Sequence, residues 1–221
     1  MGWLDDTHPK LSTLQAVWIP QRALPLASPR RGVAIYSGHR PQPHPSMTMP
    51  TAQPSAPDLH DFKTADLSDR YGDGVRVCDP IFRDFGGRVR FSGSLVTVKC
   101  FEDNSLVKST LAEPGRGRVL AVDAGGSIRC AMLGDLIAAS AVEQGWAGVI
   151  LYGCIRDSGD IAAMPLGVKA LATHPRKSFR RGEGQRDLPV TFAGVRFAPG
   201  DQVYCDEDGI LVAEAPLDLS R

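Results

Sequence analysis

The chain of 221 residues lacks a net charge: 25 lysines and arginines balance 25 aspartates and glutamates. Without a net field, neither nucleic acid nor an anionic membrane surface is favoured as a partner. No apolar run approaches the ~20 residues that a membrane-spanning helix requires. The opening segment, MGWLDDTHPK, carries acids where a secretory leader carries positive charge, and no apolar h-region follows. Histidine is nearly missing from the later part of the chain, where only His174 lies beyond residue 61. A Ser-His-Asp triad or a multi-histidine zinc centre therefore has almost no material there. There is no GxxxxGKS/T loop, and DAGG falls short of GxGxxG, which argues against nucleoside triphosphates and dinucleotides. The five cysteines, Cys78, Cys100, Cys130, Cys154 and Cys205, are odd in number and form no CxxC pair. Several sit in apolar runs such as VTVKCF and ILYGCI, where a free thiol behaves as a small core residue. Together these features predict a soluble, unsecreted, cytoplasmic protein with reduced cysteines.

What remains is ordinary globular composition, 43% hydrophobic and 23% charged, enough for one well-filled core. Its distribution is uneven. Residues 1–60 hold ten of the seventeen prolines and four of the five histidines. In RPQPHPSMTMPTAQPSAP the prolines forbid a helix and deprive a sheet of donors, so this N-terminal extension is predicted to be extended and disordered. Residues 61–221 are predicted to form the folded domain.

Within that domain, LSDRYGDGV reads as a short helix and RVRFSGSLVTVKCF as two strands broken at Ser92-Gly93. NSLVKSTLAE reads as a helix with Asn104 or Ser105 as N-cap, stopped at Pro114-Gly115. RVLAVDAGG has the continuous apolar texture of a strand buried on both faces, LIAASAVEQG is helical, and WAGVILYG is a second buried strand. That is a βαβ unit, whose strands are expected to be parallel. GVKALAT adds another strand. LPVTFAGVRFAPGDQVYCDEDGILVA, cut by Ala193-Gly194, Pro199-Gly200 and Asp208-Gly209, reads as antiparallel hairpins. The fold class is α/β.

In open parallel sheets, ligands gather beyond the carboxyl ends of the strands. Gly125-Gly126, Gly134 and Gly153 all mark that edge, and Arg156-Asp157 follow at once. A helix N-terminus offers unpaired amides and a positive dipole end, so the backbone of Gly134, Asp135, Leu136 and Ile137 is suited to an anion. Arg156 adds a guanidinium fork for a carboxylate. Asp157 would repel that guest unless a hard divalent cation such as Mg²⁺ or Mn²⁺ intervenes, which makes Asp157 a candidate metal ligand. Asp160, three residues on, is a weaker supporting candidate. An adjacent Arg-Asp is also commonly a surface ion pair of little energetic consequence. Lys99, in an apolar strand, is a Schiff-base candidate but reads better as an outward-facing strand lysine. His174-Pro175 reads as a loop, and the basic stretch PRKSFRRGEGQRD, 175–187, reads as solvated surface rather than pocket lining.

From about Thr64 to Asp218, through DPIFRDFGGRVRFSGSLVTVKCFEDN, GRGRVLAVDAGGS, GDLIAASAVEQGWAGVILYGCIRD, GVKAL and GDQVYCDEDGILV, the chain resembles the family of 4-hydroxy-4-methyl-2-oxoglutarate aldolases and regulators of ribonuclease E activity A. The most specific shared feature is an aspartate, twenty residues, then Arg-Asp: here Asp135, then Arg156-Asp157. The resemblance implies a swivelling β/β/α domain, a homotrimer, and active sites between subunits. It implies that the backbone of 134–137 and Arg156 hold the carboxylate of a small 2-oxo acid, and that Asp157 carries the divalent metal. It further implies metal-dependent carbon–carbon cleavage through a stabilised pyruvate enolate, with oxaloacetate decarboxylation as a side activity. The base that removes the 4-hydroxyl proton stays open. TVKCFEDN and GRGRVL look close to the regulator branch, whose alternative function is binding an endoribonuclease. Regulator-like members can lack the acid at 157, which this chain retains.

Overall fold

A computed structural model describes residues 62–219 of the chain. In chain order its elements are α1 (Thr64–Tyr71), a 3-10 turn (Gly72–Gly74), β1 (Arg76–Val77), β2 (Arg83–Asp84), β3 (Phe91–Lys99), α2 (Ser105–Leu111), β4 (Val119–Asp123) and β5 (Ala131–Leu133). There follow α3 (Asp135–Glu143), β6 (Gly148–Ile155), α4 (Ser158–Ala162), β7 (Gly167–Thr173), β8 (Gln185–Arg186), β9 (Val190–Phe192), β10 (Val195–Phe197), β11 (Gln202–Cys205) and β12 (Ile210–Ala213). The proline-rich extension lies outside the described residues.

The expected βαβ unit is present as β4, α3 and β6, with β4 and β6 paired in parallel. It sits in a parallel run β3-β4-β6-β7, flanked by antiparallel strands in the order β1-β12-β11-β3-β4-β6-β7-β2. Strand β5 extends this edge by pairing in parallel with the carboxyl end of β6. The C-terminal hairpins are β9-β10 and β11-β12.

Alternation along the central strands explains the layering. In β4, Leu120 and Val122 face one apolar cluster with Val107 and Leu111 of α2 and Ile137, Ala138 and Ala141 of α3. Val119 and Ala121 face the other, with Val190, Phe192, Val195 and Phe197 of the β9-β10 hairpin. Every residue of β4 is buried, as its apolar run predicts. The result is helices, central sheet and hairpin in three layers, the β/β/α arrangement that the resemblance implies. Side chains fully buried here, Leu111, Leu120, Ile150, Leu151 and Phe197 among them, each contribute about 1.5–3 kcal/mol of transfer free energy.

Two readings of the chain need correction. Ser92-Gly93 does not break a strand pair: β3 runs through it. Gly93 is there because a Cβ would stand 2.3 Å from the carbonyl oxygen of Gly117, so close strand packing, not a turn, requires it. Gly153 likewise lies inside β6, which continues to Ile155 and delivers Arg156 directly to the sheet edge.

The cysteines are all free and buried. Burial pushes the thiols of Cys78 and Cys100 up to about 12, with neighbouring carboxylates adding to the rise. Thiolate chemistry is suppressed there, in keeping with a structural role.

Candidate active site

Helix α3 starts immediately after β5, and β6 ends beside it. Gly134 is the N-cap, in extended conformation, and Arg156 donates its backbone N–H to Leu133 O at 2.9 Å, tying the two strand ends together. The approach is so close that a Cβ on residue 134 would stand 2.8 Å from Asp157 Oδ2 and 3.0 Å from Arg156 Nε. Glycine is needed for space rather than for backbone freedom.

Asp157 adopts a left-handed conformation, φ 54° and ψ 38°, as the N-cap of α4. That turn swings its carboxylate back toward α3: Oδ2 accepts from the Asp135 N–H at 3.4 Å and lies 3.1 Å from Arg156 Nε. The side chain is 33% exposed. Among the described residues, Oδ1 has no hydrogen-bond partner. In the first turn of α3, Ile137 and Ala138 donate to Gly134 O, while helix geometry leaves the Leu136 N–H without an acceptor in its own helix. Leu136 itself is 78% exposed at the mouth.

These groups border a small cavity of about 50 Å³ lined by the 134–137 backbone and Arg156 together with Asn104, Lys177, Ser178 and Arg180. Its volume suits a carboxylate rather than a whole substrate, since a bound water occupies roughly 10–15 Å³ on this scale. Among the described residues, two polar atoms of lining residues, Asn104 Oδ1 and Ser178 Oγ, are buried and have no hydrogen-bond partner. Both residues are 7% exposed. Orphaned polar atoms this deep cost about 1–3 kcal/mol each when left unpaired.

The sequence-predicted residues Gly134, Asp135, Leu136, Ile137 and Arg156 are thus gathered around one cavity, with Asp157 directly behind Gly134 and Arg156. Asp160 is not part of it: it is exposed on α4, and only its backbone N–H contacts residue 157. The reading of 175–187 as solvated surface is corrected, because Lys177, Ser178 and Arg180 line the cavity. Lys99 is outward-facing, its side chain 61% exposed and 3.9 Å from Asp123. His174 Nδ1 accepts from the Arg176 N–H at 3.1 Å, closing a loop.

Residues 177–183 form a strap held at both sides. Ser178 N–H donates to Ala131 O and Ala131 N–H to Arg176 O, at 3.2 and 2.8 Å. Phe179 N–H donates to Glu102 O at 2.9 Å, and Asn104 N–H to Phe179 O at 3.3 Å. Asp103, 1% exposed, accepts from Ser105 N–H on one oxygen and from Arg181 and Glu183 N–H on the other. Burial alone would raise this carboxyl, but those bonds outweigh it and hold it down to about 2. Beyond the strap, Phe179, Arg181 and Glu183 face a larger cavity of about 790 Å³ with Lys99, Phe101 and Asp123.

Among the described residues, no three histidine, cysteine, aspartate or glutamate side chains cluster in a way that could hold a metal ion. A single carboxylate with a spare oxygen, at a partly open edge, nevertheless fits a hard cation that keeps most of its waters and takes the rest of its ligands from a substrate.

A family model described as RraA-like, Aldolase/RraA, matches residues 64–212. The chain belongs to this family. Over 154 residues it is 59% identical to a protein of Alkalilimnicola ehrlichii provisionally named 4-hydroxy-4-methyl-2-oxoglutarate aldolase, covering 70% of this chain and 96% of that one. A protein of Laribacter hongkongensis bearing the same provisional name is 55% identical over 157 residues, 71% of this chain and 99% of that one. Among solved structures, RraA from Thermus thermophilis, described as an RNA-processing inhibitor, superposes with a TM-score of 0.70 at 43% identity, covering 73% of this chain and 98% of that one. A Geobacillus kaustophilus protein described as an S-adenosylmethionine: 2-dimethylmenaquinone methyltransferase gives a TM-score of 0.70 at 51% identity, covering 71% of this chain and 97% of that one. RraA-like relatives thus carry names from three functional classes, and the site must decide among them.

Asn104 and Ser178 escaped the sequence reading as site residues. The sequence pattern offers Asn104 or Ser105 as the helix cap; Asn104 is the N-cap, but its side chain makes no cap bond and its amide donates to Met132 O at 3.2 Å, across to β5. The sequence signal was weak, a polar pair in KS and DN flanked by charged residues.

Proposed function

We propose that this RraA-like protein is a lyase that cleaves 4-hydroxy-4-methyl-2-oxoglutarate and related 4-hydroxy-2-oxo acids to pyruvate, with a divalent-cation requirement and oxaloacetate decarboxylation as a side activity. The observation that carries this reading is the joint placement of Arg156 and the α3 N-terminus on one carboxylate-sized cavity, with the Asp157 carboxylate directly behind Gly134 and Arg156. The provisional names of the relatives at 55–59% identity agree with it.

Arg156 and the Leu136 N–H bind the substrate's C1 carboxylate, the guanidinium by charge-assisted bonds and the amide with the help of the helix dipole. That contact holds the pyruvyl end in one orientation, so that the C3–C4 bond is presented in a fixed direction. In the cleavage, the 4-hydroxyl loses its proton, C4–O becomes a carbonyl, and the C3–C4 electron pair is released toward the 2-oxo group before C3 is reprotonated. Asp157 would hold Mg²⁺ or Mn²⁺, which supplies Lewis-acid polarisation of the 2-oxo oxygen when bound. In this reading the protein acts as a homotrimer in the cytoplasm, with the far side of the pocket completed by a neighbouring subunit.

The test is pyruvate release from 4-hydroxy-4-methyl-2-oxoglutarate and from oxaloacetate, with Mg²⁺ and with excess chelator. Turnover above the metal-only background that chelator abolishes is expected. No release above that background contradicts the reading. The likeness to the Thermus RNA-processing inhibitor favours a second reading, a regulator that binds an endoribonuclease of the ribonuclease E type. A pull-down with such a ribonuclease, alongside the turnover assay, separates the two.

A further inference from the structure

The balanced net charge conceals a local separation. RKSFRR, 176–181, places four cations and no acid around Phe179, and all but Ser178 are exposed. The strap's backbone is bonded to β5 and to the 102–105 turn, so these side chains stand on a fixed support. The cavity of about 790 Å³ beside it is lined by two rings that are more than half exposed, Phe101 at 58% and Phe179 at 60%. Neither ring hangs loose. A Cβ on residue 125 would stand 2.7 Å from Phe101 Cδ2, so that ring is seated on the Gly125 backbone, while Phe179 is bonded through its own N–H and carbonyl to Glu102 and Asn104. An arginine lies over each ring, Arg129 over Phe101 at 5.7 Å and Arg181 over Phe179 at 4.7 Å. A guanidinium stacked on a ring keeps its N–H edges for an anion. Arg129 gives its Nε to Glu102 at 2.7 Å, and Arg181 forms no ion pair among the described residues. Of the four acids on the wall, Glu102 accepts from Arg129 and Ser127, Asp103 is buried and saturated by backbone donors, and Asp123 is buried. Glu183 is exposed, against the exposed Lys99, Arg129 and Arg181. The outward field is therefore positive.

We infer that this face binds single-stranded nucleic acid, with bases stacked on Phe101 and Phe179 and phosphates held by Lys99, Arg129 and Arg181. Aromatic platforms flanked by cations accept any base, because every base has a π-face, and a single strand leaves those faces available. Rings this exposed suit a strand laid across them rather than a free nucleotide enclosed in a cleft. An acidic polypeptide would use the cations and leave both rings without partners. The face is distinct from the candidate active site, since neither Arg156 nor Asp157 lines this cavity, and the inference does not rest on the lyase reading.

Fluorescence anisotropy of a labelled oligouridylate of about 12 nucleotides, titrated with the full chain at several salt concentrations, tests it. Wild type is expected to bind with an affinity that falls as salt rises, at a log–log slope of about −2 for three phosphate contacts. Phe179→Ala should weaken binding about 5- to 100-fold and leave that slope unchanged. Arg181→Gln should make the slope shallower by about 0.7. Both side chains are exposed, so the thermal midpoints and molecular masses of the variants should match wild type. No binding by wild type, or binding that Phe179→Ala leaves intact, overturns the inference. Displacement of the strand by polyglutamate at equal charge would assign the face to an acidic polypeptide, and displacement by uridine monophosphate at the strand's own affinity would assign it to a free nucleotide. A changed molecular mass in Phe179→Ala would make it a contact between copies of the chain. Each of these three results also overturns the inference.

Discussion

Asp103 and Asp157 occupy comparable turns, each just beyond a strand of the central sheet and each at a helix start, yet the protein uses them in opposite ways. Asp103 is 1% exposed and spends both oxygens on backbone N–H groups of residues 105, 181 and 183. Asp157 is 33% exposed and leans one oxygen on Arg156 and Asp135, while the other has no hydrogen-bond partner among the described residues. A saturated carboxylate holds structure together, and a half-used one at a cavity edge is available for chemistry. The left-handed backbone at residue 157, costing about 1 kcal/mol or more for a residue other than glycine, adds to the contrast.

The two aspartates should therefore fail differently. Asp157→Ala is expected to lower pyruvate release about 10³-fold, the scale of losing a charge-stabilising group at the reacting centre, while the thermal midpoint barely moves. Gly134→Ala comes next: the new Cβ pushes on both Asp157 and Arg156, and a shift of that kind costs about 10²-fold in kcat/KM. Steady-state kinetics beside a circular-dichroism melt checks both variants. Asp103→Ala should reverse the pattern, removing about 2–3 kcal/mol of stability because it unties the strap from the 102–105 turn and leaves buried N–H groups unpaired. Denaturant unfolding measures that loss.

The smallest effect is the pH dependence of the same anchor. Asp103 is held at about 2, below its ordinary value of 3.8. A depressed carboxyl stabilises the fold fully above its unfolded value, and that contribution is lost as pH falls toward the folded value. The stability gap between wild type and Asp103→Asn should be constant above about pH 4 and close between pH 4 and 2. A gap that widens on acidification would contradict the assignment.

How much of this was legible in the sequence follows from range. The βαβ unit, the buried strands and the Arg156-Asp157 edge are written in local periodicity and glycine placement, and they came through. The strap did not, because its meaning depends on partners far along the chain: Phe179 bonds to Glu102 and Asn104, and Arg181 to Asp103. A run such as PRKSFRR looks like solvated charge until the 102–105 turn and β5 pin its backbone and divide its side chains between two cavities. The short strands β2, β5 and β8 were invisible for a similar reason, since two or three residues carry no period and only their sheet neighbours define them. Gly93 misled in the other direction, a packing glycine that imitates a turn.

The central claim is that the free oxygen of Asp157 serves catalysis. Its most direct test is the rate of pyruvate release from 4-hydroxy-4-methyl-2-oxoglutarate in saturating Mg²⁺ by wild type and by Asp157→Ala, at equal concentrations of folded protein. Turnover by wild type that the variant loses by about 10³-fold is the predicted result. Equal rates in the two proteins, or none in wild type, would contradict it.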